Sequence, residues 1–196
     1  MSDDQLIRNC SPTLAGIKTG NLFRCEAASQ ESLNEDIRAA NRRLVPKGIR
    51  VLPLICSQSH ALVYVYRPSR LKKDLSDVCA NRILNRAHYP AAGPEQCIAE
   101  LMRRLRNNPE FPHEIGLFLG YPPADVEGFI ANKAGNYKCV GCWKVYGDEQ
   151  AAKKKFEAYS RCTKCYCERR HQGASLDGLA IRTRADEDTS AAAFSE

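Results

Sequence analysis

The sequence lacks any run approaching the ~18 consecutive apolar residues of a membrane span, so no membrane association is expected. Its first residues, Met1-Ser-Asp-Asp-Gln5, are acidic and lack the basic and apolar regions of a signal peptide. A cytoplasmic location is therefore expected, where thiols stay reduced and serve as ligands or reactive groups rather than as structural disulfides. Phosphate-binding loops, the GxGxxG dinucleotide fingerprint and the HExxH zincin motif are also missing, and His113-Glu-Ile departs from the last of these. There is no internal repeat and no coiled-coil heptad. Ten cysteines in 196 residues are too few for a disulfide scaffold, which carries more than ~8–10%. These absences set aside nucleotide-loop and zincin chemistry and leave the thiols as the most informative residues.

Five cysteines fall in two tight groups, Cys139-Val-Gly-Cys142 and Cys162-Thr-Lys-Cys165-Tyr-Cys167, and 19 residues separate Cys142 from Cys162. That spacing lies in the range of C-x2-C pairs that share one metal ion. Four thiolates suit tetrahedral zinc or an iron–sulfur cluster. Cys165 and Cys167 are too close for both to serve one tetrahedral site, so one is a reserve ligand. A redox dithiol and unlinked thiols are the competing readings. Cys56, Cys79 and Cys97 sit in apolar or helical contexts and read as small buried side chains.

The formal net charge is +6. It is uneven, because nine basic residues stand against four acidic ones between Lys138 and Arg170. Positive charge stabilises thiolates and steers an acidic partner, whether protein or nucleic acid. Trp143, Tyr146, Tyr159 and Tyr166 beside these cations would suit base stacking. The bland alternatives are a solvated helix face for Lys153–Lys155 and a core role for the aromatics.

Along the chain, residues 13–25 read as a bent strand interrupted by Gly16 and Gly20. Ser32-Leu-Asn-Glu35 is a capping-box pattern, and Leu33, Ile37, Ala40 and Leu44 recur at helical spacing. Residues 49–56 and 61–67 read as a β-hairpin. Leu62–Tyr66 has no polar face, which predicts a central strand covered on both sides. Pro68 opens a helix carrying Leu71, Leu75, Val78 and Cys79. Further helices are expected over about 94–106 and after Pro112, Pro123 and Gly147 or Asp148, with a strand over 137–146. The fold class is α+β: a small, mostly antiparallel sheet with packed helices and a C-terminal cysteine-rich unit. Residues 1–171 read as one domain, with 138–170 its basic cysteine-rich subregion. Residues 172–196 are polar and rich in small side chains, and read as a disordered tail.

Three segments carry a resemblance. They are Asn9 to Phe23 (NCSPTLAGIKTGNLF), Phe111 to Ile130 with its HEIGLFLGYP string, and Gly141 to Tyr159. Together they resemble a family of uncharacterised proteins from anaerobic bacteria, catalogued as a domain of unknown function, over roughly residues 8–170. The resemblance implies no mechanism, but it suggests flavodoxin as an acidic partner. Within these segments Cys10 and His113 would make a nucleophile and general base, Lys18 would lower the thiol pKa or hold an anion, and Glu114 would assist. The bland reading makes His113 and Glu114 helix-end residues and Lys18 a surface charge. His113 and Glu114 are adjacent, so only one is expected to face a shared pocket. Gly116 and Gly120 suggest close backbone approach, to a neighbouring helix or a flat cofactor.

Three functions follow as expectations. The first is a small redox or metal-handling accessory protein that docks an acidic partner. The second is a thiol-dependent enzyme built on Cys10 and His113, and the third is a zinc-ribbon-like nucleic-acid binder.

Overall fold

A computed structural model describes residues 1–26, 29–57, 60–108, 110–184 and 186. Where one domain is expected, the chain divides into two compact units: Met1–Arg70 with Arg161–Glu196, and Leu71–Ser160. Among the described residues no helix is long and apolar enough to cross a membrane.

The first unit opens with α1 (Asp3–Leu14). Ser2 caps it through a reciprocal pair, in which Gln5 N donates to Ser2 Oγ at 3.2 Å and Ser2 N to Gln5 Oε1 at 2.9 Å. Thus residues 13–14, expected to begin a strand, end a helix instead. β1 starts only at Gly20 and runs to Glu26. The amide that Pro12 lacks is tolerated in the last turn. Its carbonyl accepts from the amides of Ile17 and Lys18 at 3.0 and 3.1 Å, which closes the end of the helix.

α2 (Gln30–Leu44) buries the predicted Leu33, Ile37, Ala40 and Leu44, although Ser29 rather than Ser32 is its cap. β2 (Arg50–Cys56) and β3 (His60–Tyr66) form the predicted antiparallel hairpin. The sheet order is β1-β3-β2, so β3 is central, as its two apolar faces require. Pro53 lies in β2, an edge strand, where a missing ladder donor costs least. Ala61, Val63 and Val65 join the core built with α1 and α2, while Tyr64 and Tyr66 stack on each other with ring centroids 4.6 Å apart.

A buried cation closes this unit. Arg67 follows β3 and is 0% exposed. Its Nε donates to Thr13 O at 2.7 Å, and its Nη2 to Leu14 O at 2.8 Å and Ile181 O at 2.6 Å. Its Nη1 donates to Lys47 O at 3.2 Å and to Asp186 Oδ2 at 2.6 Å. Asp186 Oδ1 accepts from Ser69 Oγ at 2.6 Å. The segment expected to pack on nothing beyond residue 172 is therefore packed as far as Asp186. Within it Ser175 caps the single turn α9 (Leu176–Leu179), and Leu176, Leu179 and Ala180 are buried. Three apolar side chains and one buried ion pair outweigh the polar composition. Residues 187–196 lie outside the described residues.

α3 (Pro68–Leu75) leads into the second unit, which continues with α4 (Val78–Arg86), α5 (Pro94–Asn107), α6 (Ile115–Phe118) and α7 (Pro123–Ala131). Asp77 caps α4 through the amides of Cys79 and Ala80, which interrupts the helix expected to run on from Pro68. Val78 is left 83% exposed in consequence, and Cys79 is exposed too. The expected strand over 137–146 is a short hairpin, β4 (Cys139–Val140) and β5 (Lys144–Val145). α8 (Glu149–His171) starts in this unit and ends in the first.

Removing the carboxylate of Asp186 would leave the Arg67 guanidinium buried without its counter-charge. Asp186→Ala should lower stability by about 3–5 kcal/mol, read from the urea midpoint. Adding Arg67→Met, which removes the stranded charge, should recover part of that loss. An Asp186→Ala midpoint equal to wild type would refute the role of the pair.

Candidate functional site

The most distinctive stretch of the sequence, Phe111 to Tyr121, folds into a tight turn and one short helix. Pro112 O and His113 O accept from the amides of Ile115 and Gly116, and α6 then buries Ile115, Leu117 and Phe118. A Cβ on Gly116 would meet Val126 Cγ2 at 2.9 Å and Tyr121 Cδ2 at 3.0 Å, so this glycine lets α6 lie directly on α7. Gly120 has φ +75°, a left-handed value that glycine adopts without strain, and it turns Tyr121 back toward Gly116. Of the two readings for these glycines, the described contact is protein packing.

The β4–β5 hairpin is held to this stretch through α7. Asp125, 3% exposed, accepts from Trp143 Nε1 at 2.7 Å, Tyr146 N at 2.8 Å and Gly147 N at 2.7 Å. Three donors offset the cost of burying its charge. Trp143 stacks on Tyr121 at 4.7 Å and meets the Phe156 ring edge-on at 4.5 Å. Tyr121 Oη donates to Cys142 O at 3.2 Å. Burial, and next the proximity of Cys142, push the Tyr121 phenol up to about 12. A Cβ on Gly141 would stand 2.3 Å from the Phe156 ring, so the Cys139-to-Cys142 turn needs glycine there.

Two cavities of this unit share His113. One, of about 380 Å³, is lined by His113, Tyr121, Phe129, Cys142, Trp143 and Lys144 among others. His113 meets the Phe129 ring edge-on at 4.9 Å. Lys144 Nζ donates to Ala134 O at 2.7 Å and lies 4.8 Å from the Tyr137 ring centroid. The other cavity, of about 350 Å³, is lined by Arg86, Arg104, His113, Glu114 and Glu127 among others. Here Arg104 pairs with Glu100 at 2.6 Å and Glu114 at 3.3 Å, donates to Ala87 O, and covers the Tyr89 ring at 4.4 Å. His113 and Glu114 thus both line one cavity, although neighbours in sequence are expected to diverge. Both lie in the turn ahead of α6. Glu114 is engaged by Arg104, while His113 is exposed at the rim of both cavities.

Cys10 and Lys18 belong to the first unit, and His113 and Glu114 to the second. Cys10 is 0% exposed in the core of its unit. Burial pushes its thiol well up, and the nearby Lys18 only partly offsets this, so the thiolate needed for attack is disfavoured. Cys139 and Cys142 lie in the second unit, and Cys162, Cys165 and Cys167 in the first. Cys162 and Cys167 pack against the first unit's core. Burial, and next Cys165, push the Cys162 thiol up to about 11. A tetrahedral site needs four donors. Among the described residues no group of three or more His, Cys, Asp or Glu side chains stands together to hold a metal ion. Trp143, Tyr159 and Tyr166 are buried.

Asp125, Tyr121 and Phe129 are site residues that sequence reasoning assigns no role. Asp125 reads as an ordinary acidic residue in a helix's first turn, and its hydrogen-bond partners lie 18 to 22 residues further on.

Asp125→Ala would orphan three donors, the buried Trp143 Nε1 and the part-buried amides of Tyr146 and Gly147. We expect the second unit to lose about 2–4 kcal/mol and the emission of Trp143, the single tryptophan, to shift to the red. Unchanged emission and stability would contradict this role. Glu100 supplies a pH dependence. Hydrogen bonding to Arg103 first, and then to Arg104, holds its carboxyl at about 2 against an ordinary 4.5. Its contribution is complete above the ordinary value and is lost as pH falls through the folded value. Wild-type stability should therefore decline between pH 4.5 and about 2, and Glu100→Gln should flatten that decline in acid titrations followed by circular dichroism.

A family model described as a protein of unknown function (DUF3793) matches residues 6–180. No curated protein and no solved structure matches the chain.

Proposed function

The chain belongs to the DUF3793 family, whose function is unknown, and within it we propose that this protein is a small thiol-redox accessory protein acting through Cys139 and Cys142. One observation carries the reading. The C-x2-C pair sits on a short hairpin that Asp125 clamps, with Cys142 exposed among the residues lining the aromatic cavity and Cys139 half-buried in β4. No disulfide links any of the ten cysteines.

The chemistry is thiol–disulfide exchange. The Cys142 thiolate attacks one sulfur of a partner disulfide and expels the other as a thiolate, giving a mixed disulfide. Cys139 then attacks Cys142 Sγ and releases the second partner sulfur. The partner disulfide becomes two thiols, the pair becomes a disulfide, and the two protons pass from the pair to the partner. Lys138 and Lys153–Lys155 are exposed near this end of the unit, and the Lys153 ammonium, paired with Glu149, also feels Cys139. Their charge favours an acidic partner, and flavodoxin is the candidate suggested by the sequence resemblance.

The test is exchange in glutathione redox buffers without air, followed by alkylation and peptide mass spectrometry. A Cys139–Cys142 disulfide should form in a two-electron titration. Cys142→Ser should slow reaction with a small aromatic disulfide by about tenfold or more. If Cys142 reacts no faster than exposed Cys79 and no 139–142 disulfide forms, the reading fails.

A further inference from the structure

The cavity beside Cys142 has features that thiol exchange does not use. Its walls are aromatic on several sides: the stacked Tyr121 and Trp143, the Phe129 ring, and Phe111, which is 49% exposed at the rim. Its volume of about 380 Å³ falls within the ~300–1,000 Å³ of small-molecule sites. The polar groups among the lining residues are few and of unequal availability. Asp125 is spent on three donors from the hairpin. Lys144 is different. An ammonium has three N–H donors, and the Ala134 carbonyl accepts one at 2.7 Å. Lys144 also lies 5.9 Å from the Phe129 ring centroid, at the junction of the aromatic wall and a positive charge. His113 stands exposed on the same rim.

Flat aromatic faces select a flat aromatic ligand, because stacking and edge contacts add to simple burial. A single ammonium beside them selects a negative group at that ligand's edge. We propose that the cavity between Phe111 and Lys144 binds a planar aromatic acid, of one or two fused rings, with its carboxylate or equivalent anion on Lys144. The ring lies against Trp143 and Phe129. The bound ring covers the approach to Cys142, so occupancy also controls access to that thiol. This site stands apart from the redox reading, since it requires no chemistry at sulfur.

The test is calorimetric titration of the full chain with three probes that separate ring from charge: 2-naphthoate, the neutral 2-naphthamide, and the non-aromatic cyclohexanecarboxylate. The expected result is saturable binding of 2-naphthoate at one site per chain, with each of the other two weaker by about tenfold, the size of one lost charge-assisted or aromatic contact. Lys144→Met keeps the stem and removes the charge. It should weaken 2-naphthoate by about tenfold while leaving 2-naphthamide within about twofold. Phe111→Ala, at an exposed rim position where folding is not at stake, should weaken both aromatic probes. Cys139→Ser, which cannot form the disulfide, should bind 2-naphthoate as wild type does, so failure of the redox reading leaves this result intact. No saturable binding of 2-naphthoate, equal binding of cyclohexanecarboxylate, or an unchanged affinity in Lys144→Met would each overturn the proposal.

Discussion

A guanidinium with no water around it must place every donor on an oxygen, and Arg67 does so with five contacts to four backbone carbonyls and one carboxylate. The first unit is organised by that requirement. Thr13 and Leu14 offer carbonyls from the last turn of α1, where helix geometry leaves acceptor capacity over, and Lys47 offers one from the turn after α2. Ile181 and Asp186 bring in the chain from beyond α9. Burial first, and the neighbouring Arg70 charge as well, depress the Arg67 pKa, and Asp186 works against that depression. One side chain at the end of the central strand thus fixes where a helix, a turn and a distant segment must stand.

The second unit uses the opposite charge for the same purpose. Asp125 is a buried acceptor that ties a tryptophan ring and two backbone amides to the start of α7. The hairpin it holds has two residues in each strand, too short to be stable alone in water. The position of Cys142 and Trp143 is therefore set from outside the hairpin, by α7 and by the Phe156 ring under Gly141. This is how a cavity with a defined aromatic wall can exist in a unit with so little sheet.

What the sequence discloses follows from how local each cause is. Strand β3 is readable because its residues carry apolar side chains on both faces, and α2 because Leu33, Ile37, Ala40 and Leu44 repeat at helical spacing. α1 is masked by Cys10-Ser-Pro12, which looks like a turn until the carbonyl of Pro12 finds its amides downstream. α9 is hidden in a polar segment whose order depends on Arg67, 119 residues before Asp186. In the candidate site, His113 and the Cys139 pair are legible as chemistry-bearing residues. Their setting is not, because Asp125 and Tyr121 act through partners far along the chain. Spacing alone does not disclose that Cys162 packs against apolar side chains on a helix or that Cys142 is exposed at a hairpin.

The separation between Arg67 and Asp186 has a meaning in time as well as in space. At about 5–20 residues per second, a ribosome needs roughly 6–24 s to add the 119 residues between them. Small domains generally fold within milliseconds to seconds. While the nascent chain waits, Arg67 must stay hydrated, and the sheet it terminates cannot reach its final packing. Leu71–Ser160, by contrast, is contiguous and contains its own clamp at Asp125. The inserted unit is thus free to fold during translation, whereas the unit that surrounds it in sequence closes only after its last segment has been made.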